Sequence, residues 1–117
     1  MKSRLGDKVR LLHIKEAIIE VLSYVDGVTF EAFEANSMIY NASIRQLEVI
    51  GEASNRLSDE LRKQYPNIPW RQIVGLRNML VHEYFGVDIN IVWDVIRNEL
   101  SPLLISVNEM IGVLEEE

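Results

Sequence analysis

The stretch Leu11-Leu12-His13-Ile14-Lys15-Glu16-Ala17-Ile18-Ile19-Glu20-Val21-Leu22-Ser23-Tyr24-Val25 decides the fold class. Leu11, Ile14, Ile18, Val21, Leu22 and Val25 recur at steps of three and four, which lines them along one face of a helix; alternation in twos would mark a strand. Asp26-Gly27 closes that helix. A short amphipathic piece follows from about Thr29 to Ala35, then a long helix from about Ser37 to Leu57 with Ile39, Ala42, Leu47, Ile50, Ala53 and Leu57 facing inward. Ser58-Asp59-Glu60 supplies a cap and an acidic first turn for a brief helix that stops before Pro66. Pro69 suits the first position of a new helix, where its missing N–H costs nothing. That helix extends to about Tyr84, with Gly86 as its terminator. Asp88 caps a last helix whose face is Val92, Ile96, Leu100, Leu103, Val107, Met110 and Leu114, kinked near Pro102. No Asn-Gly or Asp-Gly turn separates two alternating runs. The pattern predicts an all-α bundle of four main helices plus short helices, in one domain over residues 1–117.

The composition agrees with a folded, water-soluble chain. Its 117 residues suffice for one hydrophobic core but not two. No apolar run reaches the length of about 20 residues that a membrane-spanning helix requires. The N-terminal segment Met1-Lys2-Ser3-Arg4-Leu5-Gly6-Asp7-Lys8 turns amphipathic, unlike a signal peptide. The absence of cysteine excludes a disulfide framework and thiolate metal ligation. Two histidines, His13 and His82, are too few for a zinc site within one chain. A cytoplasmic location is expected.

The formal net charge is −6, which argues against non-specific binding along nucleic acid, since phosphate neutralisation supplies much of that affinity. A local basic pocket for one or two phosphates remains compatible with it. Lys2, Arg4, Lys8, Arg10, Lys15 and Arg45 place half of the twelve basic residues in the first 45 positions, and Glu115-Glu116-Glu117 adds acid at the other end.

The chemistry concentrates in Pro69-Trp70-Arg71-Gln72-Ile73-Val74-Gly75-Leu76-Arg77-Asn78-Met79-Leu80-Val81-His82-Glu83-Tyr84. On a helix, Ile73, Leu76 and Leu80 form the buried stripe, while Arg71, Asn78 and His82 fall on the opposite side around Gly75. Such a polar, glycine-opened face suits a phosphodiester. Arg77 lies at the edge of the apolar stripe, roughly 140° from His82. One straight helix cannot aim both at a common atom; a second copy of the chain, facing the first across a symmetry axis, can. The plainer readings are a surface His82, an Arg77 that snorkels or pairs with Glu48, Glu52 or Glu83, and a Tyr84 used in packing. His13 has no evident polar co-worker and reads as structural.

Arg77-Asn78-Met79-Leu80-Val81-His82-Glu83-Tyr84 resembles the signature of the HEPN fold: an arginine, a polar residue, a histidine four to six positions on, a spacer and a tyrosine. Ile50-Gly51-Glu52-Ala53, Ile68-Pro69-Trp70-Arg71-Gln72-Ile73, Tyr84-Phe85-Gly86-Val87-Asp88 and Ile91-Val92-Trp93 look like segments of its HepT subfamily. The resemblance spans essentially the whole chain. It implies a HEPN-type bundle and a homodimeric, metal-independent endoribonuclease toxin without a cofactor, paired with a minimal nucleotidyltransferase (MNT) antitoxin that adds AMP to the motif tyrosine. Arg77 and His82 carry over as catalytic, Asn78 as a supporting polar residue and Tyr84 as the modified residue. Arg71 joins them as a phosphate contact by its place on the helix. The competing expectation is a non-catalytic helical dimer that docks the nucleotidyltransferase, or binds RNA or nucleotide without cutting.

Overall fold

The computed structural model describes residues 2–82 and 86–116, with residues 2 and 3 described by backbone alone. Seven helices follow one another: α1 (Lys2–Tyr24), α2 (Phe30–Ala35), α3 (Ser37–Asn55), α4 (Asp59–Gln64), α5 (Trp70–His82), α6 (Ile89–Asn98) and α7 (Leu100–Glu116). No strand occurs among the described residues, so the architecture is all-α, consistent with a HEPN-type bundle. Side chains at the helix starts take up otherwise orphaned backbone donors: Thr29, Asn36, Ser58 and Asp88 accept from the amides of Ala32, Ile39, Leu61 and Asn90. Gly27 ends the turn after α1 with φ at +72°, a left-handed conformation costly for a residue with a Cβ.

Three boundaries differ from the sequence reading. α3 stops at Asn55, with Arg56 as its C-cap. Pro69 stands one residue outside α5, although its carbonyl accepts from the Ile73 amide. The expected kink near Pro102 is a full break: α6 ends at Asn98 and α7 starts at Leu100. The cause is local. A proline ring collides with the carbonyl four residues back, here that of Asn98, while Pro102 itself fits the first turn of the new helix. The expected continuation of α5 to Tyr84 and its stop before Gly86 fall on residues 83–85, outside the described ones.

α3 lies at the centre, packed against α1 on one side and α5 on the other, and α1 in turn packs along α7. Small buried residues on α3 (Ser43, Gly51, Ala53 and Ser54) let both neighbours come close. Leu11, Ile14, Ile18 and Val21 of α1 are sealed from solvent, as are Val92, Val107 and Met110 of the last two helices. Phe33 anchors α2, with its ring 4.8 Å from Trp93 and 5.7 Å from Tyr40. Buried Asp7 of α1 accepts from the Ser58 amide at 2.8 Å and its hydroxyl at 2.6 Å, fastening the start of α4. Among the described residues no helix is long and apolar enough to cross a membrane.

Candidate nuclease site on helix α5

α5 packs Arg77 against α3 at Gly51, and the missing side chain of Gly51 makes that approach possible. A Cβ at Gly51 would stand 2.9 Å from Arg77 Cγ, closer still to its Cβ, and 3.2 Å from the Ile73 carbonyl oxygen. The guanidinium is then held from two sides. Nη2 forms an ion pair with Glu52 Oε1 at 2.8 Å, and Nη1 donates to Asn78 Oδ1 at 2.9 Å. Glu52 Oε2 accepts from Arg56 Nε at 2.9 Å, so one carboxylate bridges two guanidinium groups. The Arg56 hydrogen bond, together with the charges of Arg77 and Arg56 and the Arg77 hydrogen bond, holds the Glu52 carboxyl below its ordinary value of 4.5 against the opposing effect of desolvation. Arg77 has five N–H donors. Two are engaged and three remain, with 31% of the side chain exposed. That leaves a fixed fork with free donors, suited to a phosphodiester oxygen.

The groove into which Arg77 points runs between α1, α3 and α5. Gly6, Val9, Arg10 and His13 line it from α1; Arg45, Glu48, Val49, Glu52 and Ala53 from α3, with Arg56 at that helix's C-cap; and Arg77 and Val81 from α5. His13, expected to be structural, is an exposed residue of this wall. On the far side of α5 a second, more open depression holds Arg71, Gly75 and Asn78 beside Asn55, Asp59, Arg62, Lys63 and Trp70. Gly75 does leave that face open, since a Cβ there meets nothing within 4 Å. Arg71 and Asn78 therefore share a surface as the helix angles require, and Asn78 reaches across to Arg77. His82 is exposed in the last turn of α5 and lines neither depression. Among the described residues, Arg77 and His82 share no hydrogen bond and neither of these two depressions. Tyr84 lies outside the described residues.

Sequence reasoning missed Arg10, Arg45 and Arg56 as companions of Arg77. The excess of basic residues before position 46 was a trace of two of them, but only the packing of α1 on α3 gathers all three.

The bundle is all-helical among the described residues and holds Arg77 in a basic groove, with His82 five residues on in the chain. The chain belongs to the HepT-like ribonuclease family, whose model matches residues 14–110. A Methanocaldococcus jannaschii protein provisionally named as an RNase is 39% identical over 93 residues, covering 80% of this chain and 85% of that one. A protein of Caldanaerobacter subterraneus subsp. tengcongensis with the same kind of name is 38% identical over 101 residues, or 86% and 90% of the two chains. One from Thermococcus cleftensis, bearing the name probable ribonuclease HepT, is 36% identical over 90 residues, or 77% and 82%. No solved structure matches.

Proposed function

We propose that the protein is a metal-independent endoribonuclease acting as the toxin of a toxin–antitoxin pair, working as a homodimer. The observation that carries this reading is the clamp on Arg77: Glu52 and Asn78 hold its fork at the mouth of a basic groove with three donors to spare. RNA supplies its own nucleophile. The ribose 2′-OH attacks the adjacent phosphorus, the 2′-oxygen–phosphorus bond forms, and the bond to the 5′-oxygen breaks. One imidazole takes the 2′-OH proton and a second group returns a proton to the leaving 5′-oxygen, leaving a 2′,3′-cyclic phosphate and a free 5′-OH. Arg77 stabilises the negative charge that grows on the phosphorane oxygens.

Because Arg77 and His82 share neither depression within one chain, the reactive set is completed by His82 of the partner subunit. Exposed Val9 of α1 and Val81 of α5 form an apolar rim along the groove, and Val81 adjoins His82. A second copy resting on that rim brings its own His82 toward Arg77.

Tyr84 follows His82 by two positions. In this reading its hydroxyl attacks the α-phosphate of ATP on the nucleotidyltransferase antitoxin and releases pyrophosphate. The attached AMP adds an anion two residues beyond His82 in the chain, which repels the RNA backbone.

The test is cleavage of a mixed RNA substrate, with chelator present, by wild type, His82→Ala and Arg77→Ala. Cleavage by wild type alone, with cyclic phosphate ends, is expected. Equal cleavage by all three ends the assignment of these residues.

A further inference from the structure

Resting on the nuclease reading above, we propose that Arg10, Arg45 and Arg56 form a phosphate track that leads away from Arg77 and holds the backbone of single-stranded RNA beside the scissile linkage.

Charge distribution is the first argument. The groove gathers four arginines against two glutamates in a chain of net charge −6. The acidic excess therefore lies outside this groove, apart from a second basic cluster of Arg62, Lys63 and Arg71 beside Asp59 on the far side of α5, and the groove is a place where a strand is attracted. With a screening length of about 8 Å at physiological salt, the local excess decides where a phosphate settles, not the total.

Donor availability is the second. Arg10 has no hydrogen-bond or ion-pair partner among the described residues. Gly6, one turn earlier on α1, makes room for it: a Cβ there would meet Arg10 Nη1 at 2.5 Å. Arg45 touches Glu48 only at 3.5 Å and is 72% exposed. Arg56 gives its Nε to Glu52 and keeps its Nη donors for another acceptor. Val49 of α3, which is not part of the Val9 and Val81 rim on which a second copy rests, lines the groove with these arginines, so that a strand whose phosphates meet the guanidinium groups can lay a sugar or base face on apolar surface. Contacts of this kind carry little base information, and the track sets position and register on the strand, not sequence.

The test measures binding of an oligonucleotide with 2′-O-methyl groups throughout, which cannot be cut by 2′-OH attack, at stepped salt concentrations. The proteins are wild type, Arg10→Gln with Arg45→Gln, Arg10→Lys with Arg45→Lys, and Lys15→Gln as a control that removes one positive charge from α1 outside the groove. Each phosphate contact on a single strand contributes about −0.7 to the slope of log affinity against log salt. The glutamine pair is expected to flatten that slope by about 1.4 and to weaken binding at least tenfold at low salt. The lysine pair keeps most of the slope, and Lys15→Gln stays within about twofold of wild type in affinity. An unchanged slope and affinity in the glutamine pair, with an unchanged melting profile, overturns the track. So does unchanged RNA binding accompanied by lost association with a nucleotidyltransferase, which assigns the arginines to a protein partner. Cleavage of the unmodified RNA, followed in parallel, separates the two readings. Wild type that binds with a track-dependent slope but does not cut keeps the track and sinks the nuclease. Wild type that cuts independently of the track does the reverse.

Discussion

Glu52 is a positioning residue: it touches Arg77 and Arg56 and sets where Arg77 points. Glu52→Gln retains an acceptor but removes the charge that holds both arginines. Loss of orientation in a group that acts on the transition state is expected to lower kcat by about 10–100-fold. KM is expected to stay level or fall, because an anion leaves the groove. A fall in kcat with unchanged or lower KM is the signature; a rise in KM alone would make Glu52 a simple contact. The carboxyl also makes a pH prediction. Its folded-state pKa is depressed, so its contribution to stability is complete above the ordinary 4.5 and is lost as pH falls through the lower folded value. Carbon-detected NMR titration should find the Glu52 midpoint below 4.5, moving upward in Arg56→Gln. Glu48, Glu52 and Glu83 were equal partners for Arg77 on sequence grounds. Choosing among them needed the crossing of α3 and α5, because the i to i+4 rule applies within one helix and Glu52 and Arg77 are on two.

The element scale turns on glycines and prolines. Gly51→Ala inserts a methyl group into the contact between α3 and α5, against Arg77 and the Ile73 carbonyl. Overpacking of this kind costs about 1–3 kcal/mol. Denaturant unfolding should report that loss, and cleavage should fall further than stability explains, since the helix carrying Arg77 is displaced. Gly75→Ala is the opposite case. It lies within α5 facing open space, so the better helix former is expected to stabilise by about 0.5–1 kcal/mol. Opposite signs from one chemical change on two neighbouring helices would verify the crossing geometry. Local chemistry made much of this level legible: Ser58 and Asp88 cap the helices that their side chains announce. The break between α6 and α7 was half legible. Pro102 marked a disturbance, but the unbroken apolar period from Val92 to Leu114 concealed that two helices share one face. Buried Asp7 was invisible, because its partner Ser58 is brought close only by tertiary packing.

For the whole molecule, the separation of Arg77 from His82 is the decisive feature, and it was readable from helix angles before any packing was known. In the structure Arg77 faces the groove between α1 and α3, while His82 is exposed at the helix end. The surface proposed for a second copy was not readable, since exposed Val9 and Val81 come to one groove only in the fold. A shared site makes a quantitative prediction. Arg77→Ala homodimers lack both copies of Arg77 and His82→Ala homodimers both copies of His82, so each alone should be inactive. When the two variants are unfolded together, refolded and allowed to exchange subunits, half of the dimers pair one of each. In such a dimer, one of the two clefts receives Arg77 from one chain and His82 from the other and is complete. Random pairing in a twofold dimer therefore restores about a quarter of wild-type specific activity. If both groups act from the same chain, neither cleft of the mixed dimer is complete and mixing restores nothing. The double variant Arg77→Ala with His82→Ala, mixed with wild type, provides the calibration: a shared site leaves its mixed dimers with no complete cleft, whereas a single-chain site leaves one. The two arrangements thus give opposite results in the two mixtures, and only a cleft built across the twofold axis restores cleavage in the first while losing it in the second.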